Sequence, residues 1–241
     1  MSQNTLSTAR KYHKWLMLFF GGQFLIWAIT GFYMVIIDIH YIHGDSLVHN
    51  HQNKIDPNAI SISVARLHQE YGELSDLSMG VIIDKSVYRF SSDGKSFIVD
   101  ASNGDVLSPI SEPLARAIAE HEYTGSGTID SIELLTTQAP YEFSSRRLPA
   151  WRVNFDDFGQ PAIYVSMNTG QIVTKRHQWW RLFDWMFRFH LMDYQDSESN
   201  NSLLFWFTLS GLLAAISGAL LTYYRLVKDK SAGRKKAGLG A

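Results

Sequence analysis

The stretch RKYHKWLMLFFGGQFLIWAITGFYMVIIDIHYIH, residues 10–43, decides the fold. From Trp15 to Ile37 it runs for 23 residues without Asp, Glu, Lys or Arg. As a helix, such a run reaches about 34 Å, which is enough to cross a hydrocarbon core of about 30 Å. A second uncharged run, LLFWFTLSGLLAAISGALLTYY, occupies 203–224. Too little chain remains to bury two apolar helices of this length, so we expect both to span a membrane.

The first run is preceded by Arg10, Lys11 and Lys14, as the apolar part of a secretory signal would be. However, it is too long for a signal peptide, and no small-residue cleavage site follows it. We therefore expect an uncleaved membrane anchor.

The distribution of charge predicts the orientation of the chain. Residues 1–14 carry three Lys or Arg and no acid, and residues 225–241 carry six with one acid. Because basic segments stay on the cytoplasmic side, we expect both ends in the cytoplasm and residues 41–202 on the outer side of the membrane. Residues 38–202 hold 13 basic and 22 acidic residues, a net charge of −9. The basic ends indicate topology signals and lipid contacts rather than nucleic-acid binding.

The chain contains no cysteine. This excludes disulfides, iron–sulfur clusters held by thiolates, covalently attached c-type haem and cysteine nucleophiles. Any redox role would therefore require a cofactor that is held by histidine or bound without a covalent link.

The segment between the two runs contains an internal repeat. YRFSSDGKSFIVDASNGDVL (88–107) and WRVNFDDFGQPAIYVSMNTGQIV (151–173) each begin with an aromatic residue, Arg and an apolar residue. A helical pattern and a strand precede each of them, so each half is predicted as helix, strand, hairpin and strand: a curved antiparallel sheet on one helix. Ser111, Glu112 and Pro113 indicate the start of the second helix. Turn glycines with positive φ are expected at Gly94, Gly104, Gly159 and Gly170.

The predicted fold class is therefore an α+β membrane protein. Two transmembrane helices flank an exported tandem helix-plus-antiparallel-sheet domain. The predicted segments are a cytoplasmic tail (1–14), transmembrane helix 1 (15–40), a linker (41–56), repeat 1 (57–108), repeat 2 (109–176), an interfacial helix (177–194), transmembrane helix 2 (203–226) and a basic cytoplasmic tail (227–241).

These motifs resemble a known family. PAWRVNF followed by AIYVSMNTGQIV resembles the PepSY domain, and RKYHKWLMLFFGGQFLIWAITGF is similar to the opening of PepSY-associated transmembrane proteins. The closing WWRLFDWMFRFHLMDY, with the span after it, is similar to the last periplasmic helix and final membrane helix of that family. The resemblance covers about residues 10–227. It implies a PepSY-like tandem domain, as in iron-regulated membrane proteins and siderophore-reductase-like relatives.

The function implied by this resemblance has two forms. Larger relatives resemble ferric-siderophore reductases that carry haem between histidines of their membrane helices, although they have four or more spans. By this resemblance, the chain is an accessory in transmembrane electron transfer or in iron or siderophore reduction, with a b-type haem. Soluble PepSY modules are instead associated with peptidase regulation. A non-redox periplasmic module that binds a peptidase or another partner is therefore the alternative.

Histidines stand at both ends of the first run. His13, at its cytoplasmic end, fits either an interfacial residue or an axial haem ligand. At the outer end, His40 and His43 are spaced i, i+3 and would share one face if the first helix continued past the membrane. His190 lies in the predicted interfacial helix, where it is either a ligand or an incidental residue of a membrane-surface helix. We expect His40, His43 and His190 as haem or metal ligands at the outer face, with His13 as a further haem ligand.

A third class of function is a metal chaperone. His40, His43, His49 and His51 fall within twelve residues, a density that suits zinc or copper. The alternative is a solvated loop, because no regular pattern orients these side chains.

Small residues in both apolar runs allow helix backbones to approach closely. We expect the spans to pack on each other and on a membrane or periplasmic partner or a second copy of the chain, within the lipid bilayer. The small residues are Gly21, Gly22, Ala28 and Gly31 in the first run, and Ser210, Gly211, Ala214, Ala215, Ser217 and Gly218 in the second.

Overall fold

The structure is a computed structural model that describes residues 3–49, 54–194 and 201–237. These residues form an α+β protein with two long apolar helices and two antiparallel sheets. The chain divides into two compact units, the first from Met1–Ile36 with Asp184–Ala241 and the second from Ile37–Phe183. The helices are α1 (Gln3–Ile36), α2 (Ile39–Ile42), α3 (Val64–Tyr71), α4 (Glu112–Glu122), α5 (Gln178–Leu191) and α6 (Ser202–Ala237). The strands are β1 (Ser75–Ile82), β2 (Lys85–Ser92), β3 (Lys95–Asp100), β4 (Thr128–Leu135), β5 (Ala150–Asp156), β6 (Ala162–Ser166) and β7 (Ile172–Arg176).

The first unit contains the two apolar helices α1 and α6. Their segments Lys14–Ile36 and Ser202–Leu220 are long and apolar enough to span a membrane. Few residues of either segment are buried, 6% and 11%, whereas the core helix of a soluble protein is mostly buried. The two helices meet through aromatic rings. The ring of Phe207 lies 4.9 Å from that of Phe20 and packs edge-on against Trp27 at 5.8 Å, between centroids.

The prediction that the first helix continues to residue 40 is wrong. α1 ends at Ile36, and Asp38 begins the separate four-residue helix α2. The Asp38 carboxylate accepts hydrogen bonds from the backbone N–H groups of His40, at 2.9 Å, and Tyr41, at 3.1 Å. These bonds satisfy the free donors of a new helix start, so the side chain of Asp38 stabilises a break in the helix. His40 therefore does not lie on a continuation of α1.

The second unit contains two antiparallel sheets, with strand orders β1-β2-β3 and β4-β5-β6-β7. Helix α3 precedes the first sheet in the chain, and α4 precedes the second. The fourth strand predicted for the first half is reduced to an isolated bridge between Val99 and Val106. The backbone N–H of Leu107 donates to the carbonyl of Ile98 at 2.8 Å. The next residue in position to donate to β3 is Pro109, which has no N–H. The ladder therefore ends there.

The predicted turns and the start of the second helix are confirmed. Ser111 is the N-cap of α4, with a proline in the first turn. The position of Gly170 is also crowded, because a Cβ atom there would lie 2.7 Å from Cδ1 of Ile82. All four turn glycines have positive φ: 72° at Gly94, 85° at Gly104, 83° at Gly159 and 66° at Gly170.

The described residues of the second unit form three hydrophobic cores. In β2, Val87 faces a core that is shared with α4 and the second sheet, whereas Tyr88 and Phe90 face a core with Leu67 of α3. A third core, which includes Phe143 and Tyr164, contains the residues of the second sheet that alternate with those in the shared core. Each fully buried aliphatic or aromatic side chain stabilises the fold by about 1.5–3 kcal/mol. The shared core therefore joins the two repeats into one unit.

Candidate functional site

His190 is the predicted ligand around which the first unit builds a defined polar environment. It lies in the last turn of α5. Its backbone carbonyl accepts a hydrogen bond from Nε1 of Trp27 at 2.7 Å, and its Nδ1 lies 2.9 Å from Oγ1 of Thr30. A Cβ atom at Gly31 would lie 3.5 Å from the imidazole Cε1. Positions 27, 30 and 31 share one face of α1 because they are three and four residues apart, so this face fixes the imidazole.

The contacts of Thr30 favour one tautomer of His190. Oγ1 of the buried Thr30 lies 2.8 Å from the backbone carbonyl oxygen of Ile26. If the hydroxyl proton is donated to that carbonyl oxygen, the hydroxyl oxygen accepts from Nδ1–H of His190. Nε2 is then unprotonated, and it has no hydrogen-bond partner in the part of the chain that the structure describes. In this tautomer a histidine can bind a metal ion through Nε2 while Nδ1–H is held by an acceptor.

An apolar groove of about 590 Å³ lies between α1 and α6 of the same unit. Its volume is within the range of small-molecule sites, which is about 300–1,000 Å³. Trp27 belongs both to this groove and to the His190 cluster. Small residues of both helices, Gly21 and Gly211 among them, leave the space open. The bulkier side chains of the wall are Met17, Phe20, Phe24, Trp27, Phe207 and Leu212.

The other candidate histidines are less defined. His13 lies within α1, but its side chain is outside the described residues, as is the whole of His51. His40 is exposed, with Nδ1 3.2 Å from a carboxylate oxygen of Asp45, and His43 is the exposed C-cap residue of α2. His49 is also exposed.

No group of three His, Asp or Glu side chains that could hold a metal ion occurs within residues 3–49, 54–194 and 201–237. His40 and His43 belong to the second unit and His190 to the first. Joint ligation by these three histidines therefore stays a prediction, as does a metal site at His49 and His51.

The second unit contains a charge network that the sequence analysis missed. Glu142 is only 3% exposed. Arg181 holds it with two hydrogen bonds, Nε to Oε2 at 2.6 Å and Nη2 to Oε1 at 3.2 Å. The hydroxyl of Tyr164 donates to Oε1 at 2.5 Å, and Nη2 of Arg152 lies 3.4 Å from the same oxygen. The carboxylate thus joins the segment before β5 to β5, β6 and the first turns of α5.

The charge state of Glu142 follows from these contacts. Burial by itself raises the pKa of a carboxyl group, but the hydrogen bonds from Arg181 and Tyr164 and the charges of Arg181 and Arg152 outweigh it. The pKa of Glu142 is therefore held below its ordinary value. An ionised carboxylate with this set of donors acts as a structural clamp rather than as a proton donor at neutral pH.

His177 is a buried imidazole in the second unit. It precedes α5, is 3% exposed, and its Nε2 donates to the carbonyl oxygen of Tyr41 at 2.8 Å. Burial lowers the pKa of His177, and the charges of Arg181 and Arg176 lower it further, although the bond to Tyr41 opposes this. A neutral His177 thus attaches α2 to the start of α5.

The first apolar run also contains a polar side chain that the sequence analysis did not select. Nε2 of Gln23 is buried in the first unit and has no hydrogen-bond partner among the described residues. An amide in the middle of an uncharged run is the sequence signal that identifies it, because polar groups are costly inside a membrane. Among the residues around Glu142, only Arg152 carried a signal, through the aromatic–Arg–apolar pattern of the repeats.

Comparison of the chain with known proteins gives no match to a family model, to a curated protein or to a solved structure. The functional argument therefore rests on the geometry of these sites.

Proposed function

We propose that the chain is an inner-membrane accessory subunit for transmembrane electron transfer or for iron or siderophore reduction, with a tandem PepSY-like domain in the periplasm. Two helices of membrane-spanning length support this proposal, together with an α+β unit of two antiparallel sheets. The observation that carries it is the contact of Nδ1 of His190 with the hydroxyl of Thr30, which leaves Nε2 available as a ligand. The chain lacks cysteine, so no thiolate can hold a redox group, whereas histidine can.

A b-type haem is the cofactor that we propose for the first unit. His190 would supply one axial nitrogen, Thr30 would hold its Nδ1–H, and Trp27 would hold the helix backbone at His190. When bound, the haem supplies one-electron redox chemistry. The apolar groove offers the low-polarity surroundings in which a porphyrin ring is stable.

His13 and His190 serve different ends of the first unit. His13 is 17 residues from Thr30 along α1, which is about 25 Å at the rise of an α-helix. One iron therefore cannot bind both imidazoles. A second ligand would come from a partner subunit, and His13 is left for the opposite interface or for a separate haem.

The test is the absorbance of the full-length chain in detergent after addition of haemin. We expect a Soret band typical of histidine-bound haem that is lost in His190→Ala. His68→Ala is the matched control, because His68 is exposed on α3 of the second unit. A Soret band of equal intensity in wild type and His190→Ala would refute the role of His190.

The proposed topology places both chain ends in the cytoplasm, residues 41–202 in the periplasm, and the two spans against a partner or a second copy. The basic ends support it, because Lys and Arg are retained on the inner side. Reporter enzymes fused to each end should be active only in the cytoplasm, and a reporter inserted after Gly94 only in the periplasm. Activity of an end fusion in the periplasm would overturn this topology.

The alternative function is a non-redox module that binds a periplasmic peptidase or another partner. The observation that favours it is the outer edge of β1, which pairs only with β2 among the described strands. An extended segment of a partner can add to such an edge through main-chain hydrogen bonds. A folded protein that stays colourless with haemin, and that binds an extended peptide at β1, would establish this alternative.

A further inference from the structure

Each repeat places an arginine at the same position of its aromatic–Arg–apolar strand, Arg89 in β2 and Arg152 in β5. Arg152 lies 3.4 Å from the buried carboxylate of Glu142. Arg89 has no carboxylate partner among the described residues. Its Nε donates instead to the backbone carbonyl of Thr169, at 2.7 Å, in the turn between β6 and β7. The carboxylate of Glu142 thus neutralises Arg152, whereas the structure pairs Arg89 only with a backbone carbonyl among the described residues.

The guanidinium of Arg89 lies directly over Gly80 of the edge strand β1. A Cβ atom at Gly80 would lie 1.9 Å from Nη1 and 3.0 Å from Cζ, so only glycine leaves room for the arginine. The guanidinium thus occupies the space beside Gly80, and one hydrogen bond holds it to the carbonyl of Thr169. Nε is occupied by Thr169, whereas the hydrogens on Nη1 and Nη2 have no carboxylate acceptor within the described residues.

The surroundings of Arg89 favour an anion. The side chain is partly buried, and burial lowers the pKa of Arg89, with no acidic neighbour among the described residues to oppose the effect. A partly buried charge without a counter-ion is unfavourable, and binding of an anion relieves this cost. The planar guanidinium offers two parallel N–H groups, the geometry that matches the two oxygens of a carboxylate.

We propose that Arg89, held over Gly80 and against Thr169, is a binding site for a carboxylate group. The carboxylate comes from a small organic acid or from the end of a peptide chain, because both present the same two oxygens. This site is independent of haem binding, since it uses only residues of the second unit.

The experiment is isothermal titration calorimetry on the full-length chain in detergent at low salt. The probes are succinate, an unstructured peptide with a free C-terminal carboxylate, the same peptide with an amidated end, and inorganic phosphate. Arg89→Gln removes the cation, and Gly80→Ala displaces it while its charge is kept. Arg116→Gln is the matched control, because it removes the same charge from the exposed side of α4, where Arg116 pairs only weakly with Glu120, at 4.0 Å.

We expect wild type and Arg116→Gln to bind a carboxylate probe, and Arg89→Gln and Gly80→Ala to bind it at least about tenfold more weakly. Binding of succinate identifies a small acid as the source, and binding of the free peptide but not the amidated one identifies a chain end. Absence of carboxylate binding by wild type would overturn the proposal, as would equal binding by Gly80→Ala.

A second measurement uses only the wild-type protein, so it does not depend on whether the variants fold. The Nε–H signal of Arg89 in an NMR spectrum of the wild-type protein should shift on titration with the carboxylate probe that binds. A signal that stays in place at saturation would show that Arg89 serves only to tie β2 to the Thr169 turn, which would also overturn the proposal.

Discussion

Replacement of Glu142 by Gln tests whether the buried carboxylate clamps the second unit. The substitution keeps the shape of the side chain and one acceptor oxygen, but it removes the charge. Arg181 and Arg152 are then left close to one another, with side chains that are only 20% and 26% exposed and without the anion that neutralises them.

The magnitude follows from burial. Removal of one partner from a buried ion pair typically costs about 3–5 kcal/mol, because the remaining charge is left uncompensated. Gln can still accept from Tyr164, so we expect the lower end, a loss of about 3 kcal/mol in the free energy of unfolding. The matched control is Glu120→Gln on α4. It breaks an exposed i, i+4 contact with Arg116 at 4.0 Å, and we expect a loss of about 0.5 kcal/mol or less.

The assay is urea unfolding of the full-length chain in detergent, followed by the circular dichroism of the sheets. Because the pKa of folded Glu142 lies below 4.5, its stabilisation is complete above that pH and is lost as the pH falls through the folded value. The difference between wild type and Glu142→Gln should therefore shrink in acid. A difference below about 1 kcal/mol at neutral pH, or one that does not shrink in acid, would refute the clamp.

Three further predictions follow from individual side chains. The pKa of His177 in the folded state lies below 6.5, so as the pH falls the unfolded state takes up a proton before the folded state does. Stability should therefore fall as the pH drops below 6.5. His177→Gln should remove this pH dependence of the urea midpoint. Gly170→Ala should lower the free energy of unfolding by about 2 kcal/mol, because the new Cβ makes a close contact at a position of positive φ. Gly94→Ala has the same backbone strain but open space around it, so we expect a loss of about 1 kcal/mol. Thermal unfolding of the two variants compares these losses. Thr30→Val should shift the proton of His190 from Nδ1 towards Nε2, which ¹⁵N NMR spectra of the haem-free protein would show. It should also weaken haem binding about tenfold or more. An unchanged tautomer would contradict the proposed role of Thr30.

Local features of the fold could be predicted from the sequence. The turn glycines and the start of α4 depend on residues within a few positions of each other, and their φ angles and caps agree with the prediction. The two long apolar helices follow from composition alone. The end of α1 is also local, but a continuous apolar pattern across Ile36 and Ile37 conceals the helix-starting side chain of Asp38.

Long-range contacts could not be predicted. Glu142 meets Arg181 across 39 residues of chain, and Thr30 meets His190 across 160. No spacing rule within a helix or hairpin relates such positions, because the chain is brought together by the hydrophobic cores. The sequence therefore selects His190 by residue type, whereas the hydroxyl that contacts its Nδ1 is found only in three dimensions.

The difference between the two arginines follows from the connections of the repeats. In repeat 2, the segment between β4 and β5 runs for 14 residues, 136–149, and it carries Glu142 to the guanidinium of Arg152. In repeat 1, only two residues, Ile83 and Asp84, connect β1 to β2. A turn of two residues is too short to fold back across the sheet, so it cannot bring a carboxylate to Arg89. Both repeats therefore carry the arginine, but the short connection in repeat 1 supplies no counterpart of Glu142. A carboxylate ligand can take that position beside Arg89.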